Sequence, residues 1–271
     1  MSPTDSTPTV PAIGVQLYTL RSLGDRIEDL LDVAAGAGAE VVETVGRHGV
    51  SAPRLRDALA SRGLRALSSH VQLDALEADV DAEIAFAREV GIRTLVVPFL
   101  TPGQRPDDAR GWSALGARLD AFGARMRDAG LRLAYHNHDF ELREVDGRSG
   151  LAWLLDAADP QYLEAELDLA WVARAGGDPR EALRSWSSRA RLLHVKDVAP
   201  DGEARDEDGW AVPGRGTLPW DGLLRQAADV GVEAWLLEHD RPIDPERTVR
   251  DGCAYLRATR DALANGRADR A

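Results

Sequence analysis

The chain has 271 residues, a formal net charge of -12 and a single cysteine. That length suits one large buried core or two ordinary ones, and the acidic balance repels phosphate backbones and anionic lipid. Nucleic acid is therefore not an expected partner. Nor is a membrane, because no apolar run approaches the roughly 18 residues of a spanning helix.

The start, MSPTDSTPTVP, lacks both the cationic and the apolar parts of a signal peptide. Residues 1–11 read as a disordered polar tail, and a cytoplasmic location is the expectation. From Ile13 onward eight apolar or β-branched runs recur in order: IGVQLY, EVVETV, RALSSHV, TLVVPFL, LRLAYH, YLEAELD, RLLHVKD and AWLLEH. They start roughly 25 to 43 residues apart and are apolar on both faces, as parallel strands sandwiched between layers must be.

The segments between them carry helical signals. Ile27, Leu30, Leu31 and Ala34 form one stripe, with Gly36 and Gly38 as a stop. Asp178-Pro179 and Asp244-Pro245 each place a capping carboxylate before a proline that tolerates the first turn. Cys253 falls on the stripe Val249, Cys253, Leu256, Leu263 and reads as core. Residues 12–271 show no composition shift or long linker, so the expected fold is a single α/β domain, a (β/α)8 TIM barrel. A doubly wound open sheet is the alternative, but the loop after the first strand has no glycine-rich fingerprint.

In such barrels chemistry gathers where the carboxyl ends of the strands meet. Those ends carry Gln16, Glu43 and His70, then His136, Asn137, His138 and Glu141, then Asp168, His194, Lys196, Asp197, Glu238 and His239. Taken singly, each has an ordinary explanation: His70 as a hydrogen-bonded rim residue, Asp197 as a loop cap, Glu43 as an arginine partner. Together, so many ionisable groups around one mouth need a metal or substrate to compensate them. Carboxylates with an imidazole suit Mn²⁺, Mg²⁺, Co²⁺ or Zn²⁺, and Asp168, His194 and Glu238 sit on successive strands where they can converge.

At these residues the chain resembles the xylose isomerase-like sugar isomerase/epimerase superfamily. The resemblance runs through GVQLYTLR, LAYHNHDFE, ELDLAWVARAGGDP, LLHVKD, PGRGTLPW and LLEHD, which span nearly the whole sequence. It implies one barrel, dimers or tetramers, and one divalent ion, often Mn²⁺, held by Glu, Asp, His and Glu from strands five to eight. Asp168, His194 and Glu238 match directly. On strand five many members have Glu-Asn-His where this chain has His136-Asn137-His138, so either Glu141 reaches back to the ion or His136 replaces the carboxylate. The Tyr-His-x-His pattern also resembles the inosose dehydratase branch.

A metal touching a substrate carbonyl and its neighbouring hydroxyl stabilises an enediolate, provided a base moves the proton. Glu238 is the first candidate for that base, with Glu141 or His136 on the opposite face and Lys196 neutralising developing charge. Gln16, His70, His138 and Trp171 are candidates to orient a sugar or polyol, as is Trp220 if it stacks on a sugar rather than packing a loop. Arg215 is a candidate for a phosphate or carboxylate. Isomerisation or epimerisation leads; dehydration or elimination, and sugar binding without turnover, remain as alternatives.

Overall fold

Each of the eight apolar runs forms a strand in the computed structural model, which describes residues 10–268. These are β1 (Ala12–Gln16), β2 (Val41–Val45), β3 (Arg65–His70), β4 (Thr94–Val97), β5 (Arg132–His136), β6 (Glu164–Asp168), β7 (Ala190–Val195) and β8 (Ala234–Leu237). All neighbours pair in parallel, and β1 closes on β8 with Ala12 opposite Ala234 and Val15 opposite Leu237. The result is a closed barrel. Residues 1–9 of the expected tail lie outside the described residues.

Around it run α1 (Ile27–Gly36), α2 (Ala52–Ala60), α3 (Leu73–Val90), α4 (Ala109–Asp128), α5 (Gly150–Asp156), α6 (Leu169–Arg174), α7 (Pro179–Ser185), α8 (Trp220–Asp229) and α9 (Pro245–Ala268). The stripe Ile27, Leu30, Leu31 and Ala34 is the buried face of α1, which stops at Gly36. Asp178 caps α7 by accepting from the Arg180 amide, and Asp244 accepts from the Arg247 amide at the start of α9. Cys253 is fully buried in the core between barrel and helices.

The barrel interior is stratified because side chains alternate along each strand. At the amino-terminal end it is apolar, filled by Val41, Leu67, Val96, Ala134, Leu192 and Leu236. Gly14 completes this plug, since a Cβ there would stand 2.5 Å from Leu236 and 2.8 Å from Val41. One step toward the carboxyl ends the same faces carry Gln16, Glu43, His70, His136, Glu166 and His194, and the next step carries Asp168, Lys196 and Glu238. The register shifts between Val42 and Glu43 where β2 meets β3, and between Ala165 and Glu166 where β6 meets β7. The extra residues are Leu67 on β3 and Arg191 on β7, and such bulges re-aim the side chains that follow on the bulged strand, here His70 and His194.

Candidate metal and catalytic site

Two layers of ionisable groups meet inside the mouth. In the inner one Glu43 and Glu166 face each other across imidazoles. His194 Nε2 lies 2.8 Å from Glu43 Oε2 and 3.2 Å from Glu166 Oε2, while His70 Nε2 lies 3.0 and 2.9 Å from the same two oxygens. His136 Nδ1 is 3.3 Å from Glu166 Oε2, and the Gln16 amide donates to Glu43 Oε2 at 2.6 Å. Burial opposes every charge here, but the pairing overrides it at most positions. Glu166 falls to about 2 and Glu43 well below the usual carboxylate range; His70 rises to about 9, and His194 rises well above the usual imidazole value. His136 goes the other way, neutralised by burial and by its neighbour His194.

The outer layer centres on Lys196, whose ammonium is 1% exposed and surrounded by carboxylates. It donates to Glu238 Oε2 and to Asp240 Oδ2, both at 2.6 Å, and lies 3.1 Å from Asp168 Oδ2. Burial disfavours the ammonium, yet Asp168, Glu238 and Asp240 together hold its pKa well above the ordinary lysine value. Asp168 is also the cap of α6, and its Oδ1 accepts from the amides of Ala170 and Trp171. Its Oδ2 is buried without a hydrogen-bond partner among the described residues. Burial, then the charge of Asp240, lifts the Glu238 carboxyl to about 7, against the pull of Lys196 and His194.

Asp168, His194 and Glu238 each present a ligand atom within 4.8 Å of the others. Two carboxylates and an imidazole, with Asp168 Oδ2 and His194 Nδ1 both lacking a hydrogen-bond partner among the described residues, fit a divalent ion. Three of the four residues expected as ligands, Asp168, His194 and Glu238, therefore lie together at the strand ends.

Glu141 is not brought to them. The short 3-10 turn Phe140–Leu142 points its carboxylate at the outer side of β5, where Oε1 accepts from the Tyr135 hydroxyl at 2.8 Å and Oε2 from the His138 amide at 2.9 Å. Tyr135 precedes the inward-facing His136, so strand alternation puts its ring among the helices. Burial raises Glu141 to about 7 although both hydrogen bonds oppose the shift. A carboxyl whose folded pKa exceeds its unfolded one stabilises fully below about 4.5 and loses that contribution as pH rises through about 7. The expected cost is about 3 kcal/mol across that window. Denaturant unfolding of metal-free protein at pH 5 and pH 8 checks it: Glu141→Gln is expected to flatten the dependence, and an unchanged slope would rule out this origin.

The remaining predicted residues separate into two groups. Gln16, His70, His138 and Trp171 line the same cavity, of about 410 Å³, as His136, His194, Lys196 and Glu238. Its wall also includes Tyr18, Gln72, Phe99 and Asp240, none of which the strand pattern marked. The His138 ring lies 5.1 Å from Trp171 and 5.2 Å from Phe99, tilted to the one and edge-on to the other, giving an aromatic flank to the cavity. Arg215, by contrast, is outside the cavity: it pairs with Asp251 at 2.9 Å and is more than half exposed. Trp220 is buried in the core. Asp197 is a loop cap, accepting from the amides of Val198, Gly214, Gly216 and Leu218. Glu43 pairs with imidazoles and not with an arginine.

Glu166 and Asp240 were not singled out by the sequence, although both stand two residues from a residue that was. On a strand that spacing means the same face, the signal that finds Glu166 beside Asp168. No helix among the described residues is long and apolar enough to cross a membrane.

The family model described as xylose isomerase-like TIM barrel matches residues 16–259. The rhizopine catabolism protein MocC of Rhizobium meliloti is 26% identical over 242 residues, covering 78% of this chain and 73% of that one. An inosose dehydratase of Clostridium botulinum is 22% identical over 138 residues, so the match spans 46% of either chain. Among solved structures, a sugar phosphate isomerase/epimerase from Parabacteroides distasonis superposes with a TM-score of 0.75 at 22% identity, covering 95% of this chain and 98% of that one. A D-psicose 3-epimerase does so at 0.71 and 16% identity, with 93% and 99% covered.

Proposed function

Since the chain belongs to the xylose isomerase-like TIM-barrel family, we propose that it is a divalent-metal-dependent isomerase or epimerase of a keto- or aldo-sugar or related polyol. The observation that carries this reading is Glu238. Its carboxyl, raised to about 7, faces the cavity beside Asp168 and His194 and is hydrogen-bonded to a buried ammonium. Near neutral pH such a group accepts and returns protons with equal ease.

Asp168, His194 and Glu238 would hold the ion, with Mn²⁺ the leading choice and Mg²⁺, Co²⁺ or Zn²⁺ the others. Bound there, a divalent cation would supply positive charge to offset the negative charge that develops on a substrate oxygen as the proton leaves. The chain's own groups do the rest. Glu238 moves the proton at the carbon next to the carbonyl. Lys196, two residues along the strand from His194, holds positive charge at the same rim. His138, Trp171 and Phe99 orient the apolar face of a ring, and Gln16 and His70 meet its hydroxyls. His136, held neutral, is placed to exchange a proton on the opposite face.

The similarity to proteins named inosose dehydratase supports a second reading, elimination of a β-hydroxyl after the same proton abstraction. Incubating the Mn²⁺-loaded protein with a panel of ketoses and cyclic polyol ketones in D₂O separates the two. Deuterium entering a product isomeric with its substrate is expected; an ultraviolet-absorbing unsaturated product would favour the lyase, and no exchange anywhere on the panel would count against both.

A further inference from the structure

The inner layer is built in a way that hydrogen bonding alone does not explain. A carboxylate has two oxygens and room for about four donors, so a network of N–H donors spreads over both. Here three imidazole nitrogens crowd one oxygen, Glu166 Oε2, at 2.9, 3.2 and 3.3 Å. The other oxygen, Glu166 Oε1, is buried with no hydrogen-bond partner among the described residues, and Glu43 Oε1 and His136 Nδ1 are in the same position. His70 Nε2 and His194 Nε2 each face two carboxylates at once, although one N–H can serve only one well. Once the imidazoles release their protons, what converges at this point is lone pairs.

Distances fit that reading. Four ligands at the usual zinc–nitrogen and zinc–oxygen length of about 2.0–2.1 Å stand about 3.3 Å apart around a tetrahedron. The three measured separations from Glu166 Oε2 lie at or just inside that edge. His70, His136, Glu166 and His194 all present ligand atoms within 4.8 Å of one another, from β3, β5, β6 and β7, and Glu43 Oε2 lies 3.0 Å from His70 Nε2 and 2.8 Å from His194 Nε2. The two strand bulges fall on β3 and β7, the strands that deliver His70 and His194 to the set.

We propose that His70, His136, Glu166 and His194 form a second cation seat, inside the one already described, which selects imidazole-preferring ions such as Zn²⁺ or Co²⁺. The carboxylate-rich outer seat suits Mn²⁺ or Mg²⁺. His194 belongs to both groups, and a neutral imidazole offers one lone pair, so the two seats are alternatives and not a binuclear centre. An ion in the inner seat therefore draws His194 away from the outer one. The inference rests on the proposed function only through that shared residue.

Titrating the metal-free, full-length protein with Co²⁺ alone and with Mn²⁺ alone tests it. Co²⁺ is expected to give the intense visible absorption of a four-coordinate ion. His70→Asn and His136→Gln are each expected to abolish that band and weaken Co²⁺ binding by at least about 100-fold, the upper end of what losing even an outer-shell partner does. Asp168→Asn is expected to spare the band and to weaken Mn²⁺, followed by electron paramagnetic resonance. Added Zn²⁺ is expected to release bound Mn²⁺ one for one. Near-ultraviolet circular dichroism, which reads the buried tryptophans, checks that each variant folds; if one histidine variant does not, the other carries the test. The proposal is overturned by a weak six-coordinate Co²⁺ spectrum, by a band unchanged in the folded histidine variants, or by all variants affecting both ions alike. A wild-type protein that takes Co²⁺ as described but no Mn²⁺ would remove the outer seat and leave the inner one standing.

Discussion

Glu238→Gln is expected to lower turnover by about 10²–10⁴-fold while leaving the barrel and its bound ion in place. The substitution keeps shape and a coordinating oxygen but removes the proton that the side chain must take up and return. Glu238 is 4% exposed, so burial is the first cause of its raised pKa and the Asp240 charge the second. Without an ion that carboxyl is half ionised at neutral pH, and a bound cation lowers its pKa and favours the carboxylate that abstracts the proton. The measurement is turnover and solvent-deuterium exchange on whichever substrate the D₂O panel identifies, at Mn²⁺ concentrations where resonance shows the ion bound. Both rates are expected to fall together. Wild-type exchange in the ion-loaded variant would assign the proton transfer to another residue, with His136 next in line.

The strands were readable for a physical reason: parallel strands buried on both faces admit almost only apolar residues, so each appears as an unbroken run. The convergence of Asp168, His194 and Glu238 was readable because a barrel sends all strand ends to one mouth. Glu141 was not. Its direction depends on a three-residue turn that sends the carboxylate to Tyr135, and nothing in HNHDFEL distinguishes that turn from one reaching inward. Arg215, the candidate for a phosphate or carboxylate, is flanked by Gly214 and Gly216. Those glycine amides instead surround the carboxylate of Asp197, and the arginine turns outward to Asp251. Of the inner layer, Glu43, His70, His136 and His194 were readable as strand-end groups, whereas Glu166 stayed hidden because a lone glutamate within an apolar strand looks like an interruption. Only the closed barrel shows Glu43 and Glu166 opposing each other across His70 and His194, with His136 on Glu166 alone.

Lys196→Met is expected to destabilise the metal-free protein by about 3–5 kcal/mol at neutral pH, the usual consequence of removing one partner from a buried ion pair. Methionine fills much the same volume, so the loss reports charge and not packing. Asp168, Glu238 and Asp240 would be left facing one another with no cation between them. Two responses distinguish this from a general packing defect. Acid should relieve it, because Glu238 already titrates near 7 and loses its charge as pH falls, so the deficit against wild type shrinks between pH 7.5 and pH 5.5. A divalent ion should relieve it too, since the carboxylates freed from the ammonium bind Mn²⁺ more tightly, and binding to the folded state alone adds stability by mass action. Denaturant unfolding at both pH values, with and without Mn²⁺, gives the four free energies needed. A Met variant as stable as wild type in all four would mean that the ammonium is not the counter-ion of the outer carboxylates, and the charge balance assigned to this rim would have to be redrawn without it.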